Sequence, residues 1–270
     1  MRLLIQHETI YRYSLPATYS IQQLRLTPRN NALCRVAQWQ IKAPKKILPF
    51  QDAFDNASHT LVIKEQHNNI AITVNGEVHT VFYARGVLPA EGTAVAKEVF
   101  LVSTPLTEAD PSIVQLGEGF LNQYGARVAQ YNADTLLQIA VNIKEKLLYV
   151  PGSTQVHSTA AQALLQGQGV CQDHAHLMLS VCRNLGLPAR YVSGYVDPGG
   201  TDHVASHAWV DVWSTAEQAW VSLDITNAEF ASDKHCRLAI GRDYDSAAPI
   251  RGIRRGGGDE TMQVHVQVTQ

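Results

Sequence analysis

The sequence has little of what marks a secreted, membrane-spanning or disulfide-stapled protein. Its 270 residues include only 4 cysteines, which are widely spaced and form no Cys-x-x-Cys pair. This pattern argues against a disulfide framework. No apolar run approaches the roughly 18 residues that a membrane span needs. The N-terminus becomes polar by Glu8, too early for a signal peptide. We therefore expect reduced thiols, a cytoplasmic location and no membrane partner.

Charge of one sign is also lacking. The chain has 22 basic and 24 acidic residues, and its formal net charge is -2. A nearly neutral chain has no general attraction for nucleic acid or anionic lipid, so we expect neither as a partner. Hydrophobic residues make up 45% of the sequence, which is enough to form a core and excludes wholesale disorder.

The first 85 residues carry short runs of alternating polarity that are rich in β-branched and aromatic residues, a pattern typical of strands. Turn residues separate these runs, and Asn75-Gly76 between two of them predicts a β-hairpin. Such a succession favours an antiparallel β-sandwich-like or barrel-like domain. The predicted strands are Leu3–Tyr13, Tyr19–Leu26, Val36–Lys42, Thr60–Glu65, Ile70–Val74 and Val78–Ala84.

Helical periodicity begins after a stretch rich in proline and glycine. Predicted helices run over residues 111–124, 132–148, 158–166 and 171–185, and Ser158 is the candidate cap of the third. Strands follow, with the last predicted over Met262–Val268. Helices and strands that come in separate runs favour an α+β fold with an antiparallel sheet. The predicted division is a β-domain over 1–90, a linker over 91–112 and a second domain over 113–270.

Cys171 follows a break at Gly167 and Gly169 and opens the fourth predicted helix. The partial positive charge of a helix N-terminus stabilises a thiolate, which is the nucleophilic form of cysteine. The free N–H groups of the same turn are suited to hold an oxyanion. Cys34, Cys182 and Cys236 have no such placement and are predicted to be buried.

A nucleophilic thiolate needs a proton partner, and that partner needs an orienting group. His207 begins one predicted strand, and Asp224 lies in the next. If Ser214 pairs with Ala219 in a hairpin, His207 and Asp224 become diagonal neighbours on one face. Cys171, His207 and Asp224 are therefore predicted as nucleophile, general base and acid, and orienting carboxylate.

These segments resemble the three motifs of bacterial transglutaminase-like proteins. GVCQDHAH at 169–176 is similar to the nucleophile motif, SHAWV at 206–210 to the histidine motif, and DITN at 224–227 to the aspartate motif. The family usually has proline and threonine after the aspartate, and Ile225 departs from that pattern without affecting the carboxylate. The resemblance extends to PARYVSGY at 188–195, GRDY at 241–244, RG at 251–252, and the N-terminal segments 7–13 and 25–29.

The resemblance implies an N-terminal β-domain followed by a papain-like, transglutaminase-like catalytic domain with helices packed on an antiparallel sheet. It also implies acyl transfer on a peptide or amide substrate without a cofactor or metal. Hydrolysis is preferred over transamidation because water needs no acceptor site. A non-catalytic peptide-binding module is the alternative from another class. No oligomeric state is indicated.

Metal binding is the competing chemical interpretation. The potential ligands close in sequence are Cys171, Asp173, His174, His176, Asp202, His203 and His207. Their spacing fits no common zinc site, because no second cysteine is near and the histidine pair at 174 and 176 points to different helix faces. Asp173 is instead expected to complement the helix dipole.

Three further assignments stay open at this stage. Tyr149 and Gln155 are candidates for a second oxyanion donor, because both precede the nucleophile. The GRDY segment at 241–244 either borders the cleft or forms a tight turn. The arginines at 251, 254 and 255 are too few to indicate nucleic-acid binding and are expected in a solvated loop.

Overall fold

The computed structural model describes residues 1–90, 95–124, 131–199 and 206–270. It shows an α+β protein with two antiparallel sheets and five α-helices, which confirms the predicted fold class. Part of the predicted linker lies outside the described residues. No helix in the described ranges is long and apolar enough to cross a membrane.

The first sheet is built on one long strand. β1 runs over Arg2–Leu24, and alternate side chains along it are buried, as expected for a strand with one face on a core. The sequence predicted two strands here, but the chain continues as one and changes partners along its length. Its first half pairs with the strands at 67–80 (β5) and 260–269 (β14), and its second half with those at 57–63 (β4) and 250–256 (β13). This exchange of partners curls the sheet.

The sheet has seven strands in the order β2-β5-β1-β4-β3, with β13 and β14 also paired to β1. The remaining strands are β2 (Cys34–Lys42), β3 (Ile47–Gln51), β4 (Ala57–Ile63), β5 (His67–Thr80), β13 (Ile250–Gly256) and β14 (Glu260–Thr269). β3 and β13 were not predicted from the sequence.

The predicted hairpin at Asn75-Gly76 is wrong. β5 continues through both residues, and they pair with Gln6 and Ile5 of β1. Gly76 allows the Trp39 ring to lie close to the strand backbone and does not form a turn. A Cβ built on Gly76 would lie 2.0 Å from Cε3 of Trp39. The indole of Trp39 thus covers the backbone at the position where the sequence showed a turn signal.

The C-terminal strands return to the N-terminal sheet. The sequence placed residues 250–269 in the second domain, but their hydrogen-bonded partner is β1, with Ile253 opposite Ile21 and Val266 opposite His7. The arginine cluster predicted in a solvated loop lies on β13, so the predicted loop is wrong, although Arg251 and Arg255 are exposed to solvent. Pairing across more than 200 residues leaves no local signal in the sequence.

The second sheet has the order β11-β10-β9-β8-β12. Its strands are β8 (Ala189–Val196), β9 (Ser206–Ser214), β10 (Ala219–Asp224), β11 (Glu229–Phe230) and β12 (His235–Gly241). A short parallel pair joins β6 (Leu148–Tyr149) to β7 (Gln168–Gly169). The helices are α1 (Pro111–Tyr124), α2 (Ala133–Lys146), α3 (Ala160–Gln166), α4 (Cys171–Asn184) and α5 (Tyr244–Ala247).

α4 is the central helix of the second half. Every residue from Gln172 to Arg183 is buried, and the helix contacts β8, β9 and the first three helices. The predicted helices lie within a few residues of the observed ones. α3 is capped by Thr159 instead of Ser158, because Thr159 and Gln162 form a reciprocal capping box.

The two sheets share contacts along their boundary. Asn56 accepts from the N–H of Ile240 at 2.8 Å and donates to its carbonyl at 2.8 Å. The His7 Nδ1 lies 2.7 Å from the hydroxyl of Tyr195 on β8. In the stretch after the first sheet, Leu88 donates to the carbonyl of Trp220 on β10. The N-terminal sheet is therefore packed directly against the sheet that carries the candidate site.

We predict that Gly76→Ala destabilises the protein by about 1–3 kcal/mol, because its Cβ overlaps the Trp39 indole. Shortening the opposing side chain in Gly76→Ala/Trp39→Leu should recover part of that loss. Gly119→Ala on α1 is the control, since nothing lies within 4 Å of its Cβ and alanine favours a helix. Urea unfolding measures all four free energies. Equal effects at Gly76 and Gly119 would contradict the predicted contact.

Candidate active site

The turn before α4 places Cys171 as the first residue of the helix. Asp173 holds this turn, since its Oδ2 accepts from the N–H of Val170 at 2.8 Å and from the Thr154 hydroxyl at 2.6 Å. Gly169 makes room for that carboxylate, because a Cβ there would lie 2.6 Å from the Asp173 Cβ. Asp173 therefore has the first-turn role that the sequence predicted.

The predicted register of the β9–β10 hairpin is confirmed. Ser214 pairs with Ala219, and Val210 pairs with Leu223. The next residues in this register bring His207 and Asp224 to one face, where the His207 Nε2 lies 2.7 Å from the Asp224 Oδ2. Both side chains are buried.

Asp224 is held by more donors than His207 alone. The side-chain amide of Asn227 donates to Oδ2 at 2.7 Å, and the N–H of Asn227 donates to Oδ1 at 3.2 Å. The His235 Nε2 also lies 3.1 Å from Oδ2. Since a buried carboxylate is costly unless it is hydrogen-bonded, these donors stabilise its charge.

His235 is a site residue that sequence reasoning missed. Its Nδ1 accepts from the N–H of Ser232 at 3.1 Å, so the proton of a neutral ring lies on Nε2, where it donates to Asp224. The indole of Trp209 packs edge-on against His235 with ring centroids 5.1 Å apart, and stacks beside His207 at 6.2 Å. Its place at the start of a buried strand, β12, was the only signal for it in the sequence.

The charges of this group are coupled. Burial alone would lower the pKa of His207, but the hydrogen bond and charge of Asp224, together with Cys171, outweigh burial and raise that pKa to about 10. Burial would raise the pKa of Asp224, but the hydrogen bonds and charges of His207 and His235 hold it well below its usual range. At neutral pH the pair is therefore an imidazolium and a carboxylate.

Cys171 is the other side chain that acts on His207, because it helps to raise the pKa of the imidazole. Because Nε2 is occupied by Asp224, the ring nitrogen left for the thiol is Nδ1. Cys171 is partly exposed, whereas Cys34, Cys182 and Cys236 are buried, and all four thiols are free. The structure thus brings His207 into contact with Asp224 and close enough to the one partly exposed thiol for Cys171 to shift its pKa.

A cavity of about 520 Å³ opens at His207 and is also lined by Tyr149. Burial and the nearby Cys171 raise the pKa of the Tyr149 phenol, so it is a neutral donor beside the thiol. The side chain of the other candidate, Gln155, is exposed. The structure therefore brings one of the two candidate oxyanion donors to the nucleophile.

Apart from Cys171 and His207, the metal ligands suggested by the sequence do not converge within the described ranges. Both ring nitrogens of His174 lie within 3.1 Å of backbone carbonyls, and His176 Nε2 accepts from the N–H of Tyr244. Asp202 and His203 lie outside the described residues. The ligand atoms that do cluster, within 4.8 Å of one another, belong to His207, Asp224 and His235. Their close contacts are hydrogen bonds that use ring protons, which a metal would have to displace.

Comparison with known proteins gives the same family for both halves of the chain. Residues 121–225 match the model of the transglutaminase-like superfamily, and residues 3–79 match that of the bacterial transglutaminase-like N-terminal region. An uncharacterised protein of Mycobacterium leprae is 30% identical over 100% of this chain and 99% of its own length. One from Mycobacterium tuberculosis is 30% identical over 93% of this chain and 87% of its own.

A crystal structure of a proposed cysteine protease from Cytophaga hutchinsonii has the same fold. It superposes with a TM-score of 0.77 at 19% identity, covering 100% of this chain and 90% of that one. The fold and the arrangement of thiol, imidazole and carboxylate define a papain-like class. This chain belongs to the transglutaminase-like superfamily and carries the bacterial N-terminal region of that family.

We predict that His235→Phe slows alkylation of Cys171 by iodoacetamide at pH 6 by about 10-fold. The substitution removes one donor to a buried carboxylate, a hydrogen bond of about 1.5–3 kcal/mol, and frees Asp224 to shift away from His207. His235→Gln keeps a donor and an acceptor and should react within about threefold of the wild type. Mass spectrometry of the intact protein gives the rates. If His235→Phe reacts like the wild type, Asp224 does not depend on His235.

Proposed function

We propose that the protein is a cysteine-dependent amide-bond hydrolase, a peptidase or amidohydrolase, that acts through a thioester on Cys171. The observation that carries this proposal is that His207 interacts with both Asp224 and Cys171, with 2.7 Å between the His207 Nε2 and the Asp224 Oδ2. A thiolate, a proton carrier and an orienting carboxylate are the groups that nucleophilic acyl transfer requires.

The first half of the reaction forms the thioester. The Cys171 sulfur attacks the amide carbonyl carbon, and the carbonyl π electrons move to the oxygen. The N–H groups of the first turn of α4 stabilise this oxyanion, and the phenol of Tyr149 is the proposed second donor. When the electrons return, the C–N bond breaks, and the His207 Nδ1 gives its proton to the leaving amine.

The second half releases the acyl group. The neutral His207 accepts a proton from water at Nδ1 while the oxygen attacks the thioester carbon. Collapse of the second tetrahedral intermediate breaks the C–S bond, giving a carboxylic acid and regenerating the thiolate and the imidazolium. Asp224 keeps its charge throughout and fixes the orientation of the ring.

A transamidating acyltransferase is the second candidate. The cavity at His207 is the one observation that favours it, because its volume of about 520 Å³ has room for an amine as well as water. Its lining includes the carboxyl groups of Asp197 and Glu229 and the ammonium groups of Lys144 and Lys234, so these charges balance.

An activated acyl donor tests the proposal without knowledge of the natural substrate. We expect a peptidyl p-nitrophenyl ester to add its acyl mass to Cys171 in the wild type, as seen by mass spectrometry. Cys171→Ala and His207→Ala should lower the rate by at least about 10³-fold. Cys182→Ala is the matched control on the same helix and should react normally.

The products distinguish the two reactions. With excess methylamine present, the hydrolase should still release mostly the free acid, whereas a transamidase should release the methylamide. A protein that binds the peptide but forms no adduct at Cys171 would be a non-catalytic binding module, and the proposal would be wrong.

A further inference from the structure

A second cavity, of about 490 Å³, lies between α5 and strands β1, β13 and β14. It shares no lining residue with the cavity at His207. Tyr244 forms one wall, and Tyr11 and Tyr13 of β1 form another. Its volume is in the range of cavities that hold a small ligand or a short peptide segment.

The near end of this cavity is attached to the helix that carries Cys171. The Gln172 side chain donates to the carbonyl of Val156, a lining residue, at 3.0 Å. On the other side, Tyr244 donates its N–H to His176 of α4 at 3.1 Å. Two residues of α4 therefore form hydrogen bonds to opposite sides of the cavity. They are His176 and Gln172, and Gln172 is next to the nucleophile.

The charged groups in the lining neutralise one another. Arg251 lies 2.7 Å from Asp245, and Arg254 lies 3.1 Å from Glu260. Arg254 also covers the ring of Tyr13 at 5.1 Å. Apart from Ser20 and Gln22, the rest of the lining is mostly phenol and aliphatic surface, so the cavity favours an uncharged group with apolar parts.

Gln22 on β1 adds an unused hydrogen-bond acceptor. The residue is 6% exposed and lines the cavity, and its Oε1 is buried without a partner among the described residues. Gly252, which pairs with Gln22, leaves space for this side chain, because a Cβ there would lie 2.7 Å from the Gln22 Cγ. A buried acceptor without a donor is costly, and a peptide N–H in the cavity would satisfy it once the side-chain amide turns toward the ligand.

We propose that this cavity binds the acyl arm of the substrate, a peptide segment with apolar or aromatic side chains ahead of the amide that Cys171 attacks. This inference rests on the proposed function. In that reaction the leaving amine takes its proton from His207 and therefore lies at the cavity that His207 lines, which leaves the second cavity for the acyl part of the substrate. The N-terminal sheet is then part of the substrate site, with Gln22 accepting from the peptide backbone.

Peptide binding to the full-length Cys171→Ala protein tests the inference without turnover. The probe is a fluorescein-labelled peptide amide of sequence Phe-Leu-Phe-Ala-Gly, and its partner probe has glutamate in place of the apolar residues. Fluorescence anisotropy gives both dissociation constants. We expect the apolar peptide to bind at least about 10-fold more tightly than the acidic one.

Two exposed lining residues allow substitutions that do not disturb the core. Met262→Asp and Ile253→Asp place a charge in the cavity at positions that are 52% and 74% exposed, and each should weaken apolar peptide binding by at least about 10-fold. Gln22→Leu removes the acceptor and should weaken it by about 5-fold. Val264→Asp, on the same strand as Met262 and 47% exposed, lies outside the cavity and is the matched control.

The inference is overturned if the apolar peptide does not bind, or if Met262→Asp and Val264→Asp bind it equally well. Alkylation of Cys171 by iodoacetamide, measured in the same variants with the cysteine restored, separates this failure from failure of the proposed function. An unreactive Cys171 with cavity-dependent peptide binding would refute the hydrolase and support the peptide site. A reactive Cys171 without peptide binding would refute the peptide site and leave the hydrolase supported.

Discussion

The buried charge of Asp224 is the constraint on which the site depends. A carboxylate removed from water must be compensated, and the chain does so with His207, His235 and two groups of Asn227. The same compensation makes His207 a stable imidazolium and fixes its ring, so that Nδ1 is left for Cys171. The need to stabilise one buried charge therefore fixes the positions of side chains from β9, the turn after β10 and the start of β12.

Local signals explain what the sequence predicted well. The glycines before Cys171 and the short turn after Ser214 fix the start of α4 and the register of one hairpin, and these two features bring the three site residues together. The same kind of signal failed at Asn75-Gly76, where the glycine accommodates the Trp39 ring instead of a turn. A dipeptide can report either a backbone conformation or a close packing contact, and only the tertiary structure distinguishes them.

The features that could not be predicted depend on pairing between distant segments. β13 and β14 lie beside β1 although more than 200 residues separate them, and no periodicity within a strand specifies its neighbour. His235 reaches Asp224 because β12 pairs with β8, a contact that is also invisible in the local sequence. The cavity beside Tyr244 arises from the same long-range pairing, which brings the N-terminal sheet to α5.

The protonation state of His207 tests the central claim most directly. A titration followed by the ¹⁵N chemical shifts of its imidazole should show the charged ring through neutral pH, with deprotonation at a pKa of about 10. Because Asp224 is the main group that raises this pKa, Asp224→Asn should lower it by several units. An ordinary titration near pH 6.5 in the wild type, or one that Asp224→Asn leaves unchanged, would contradict the account.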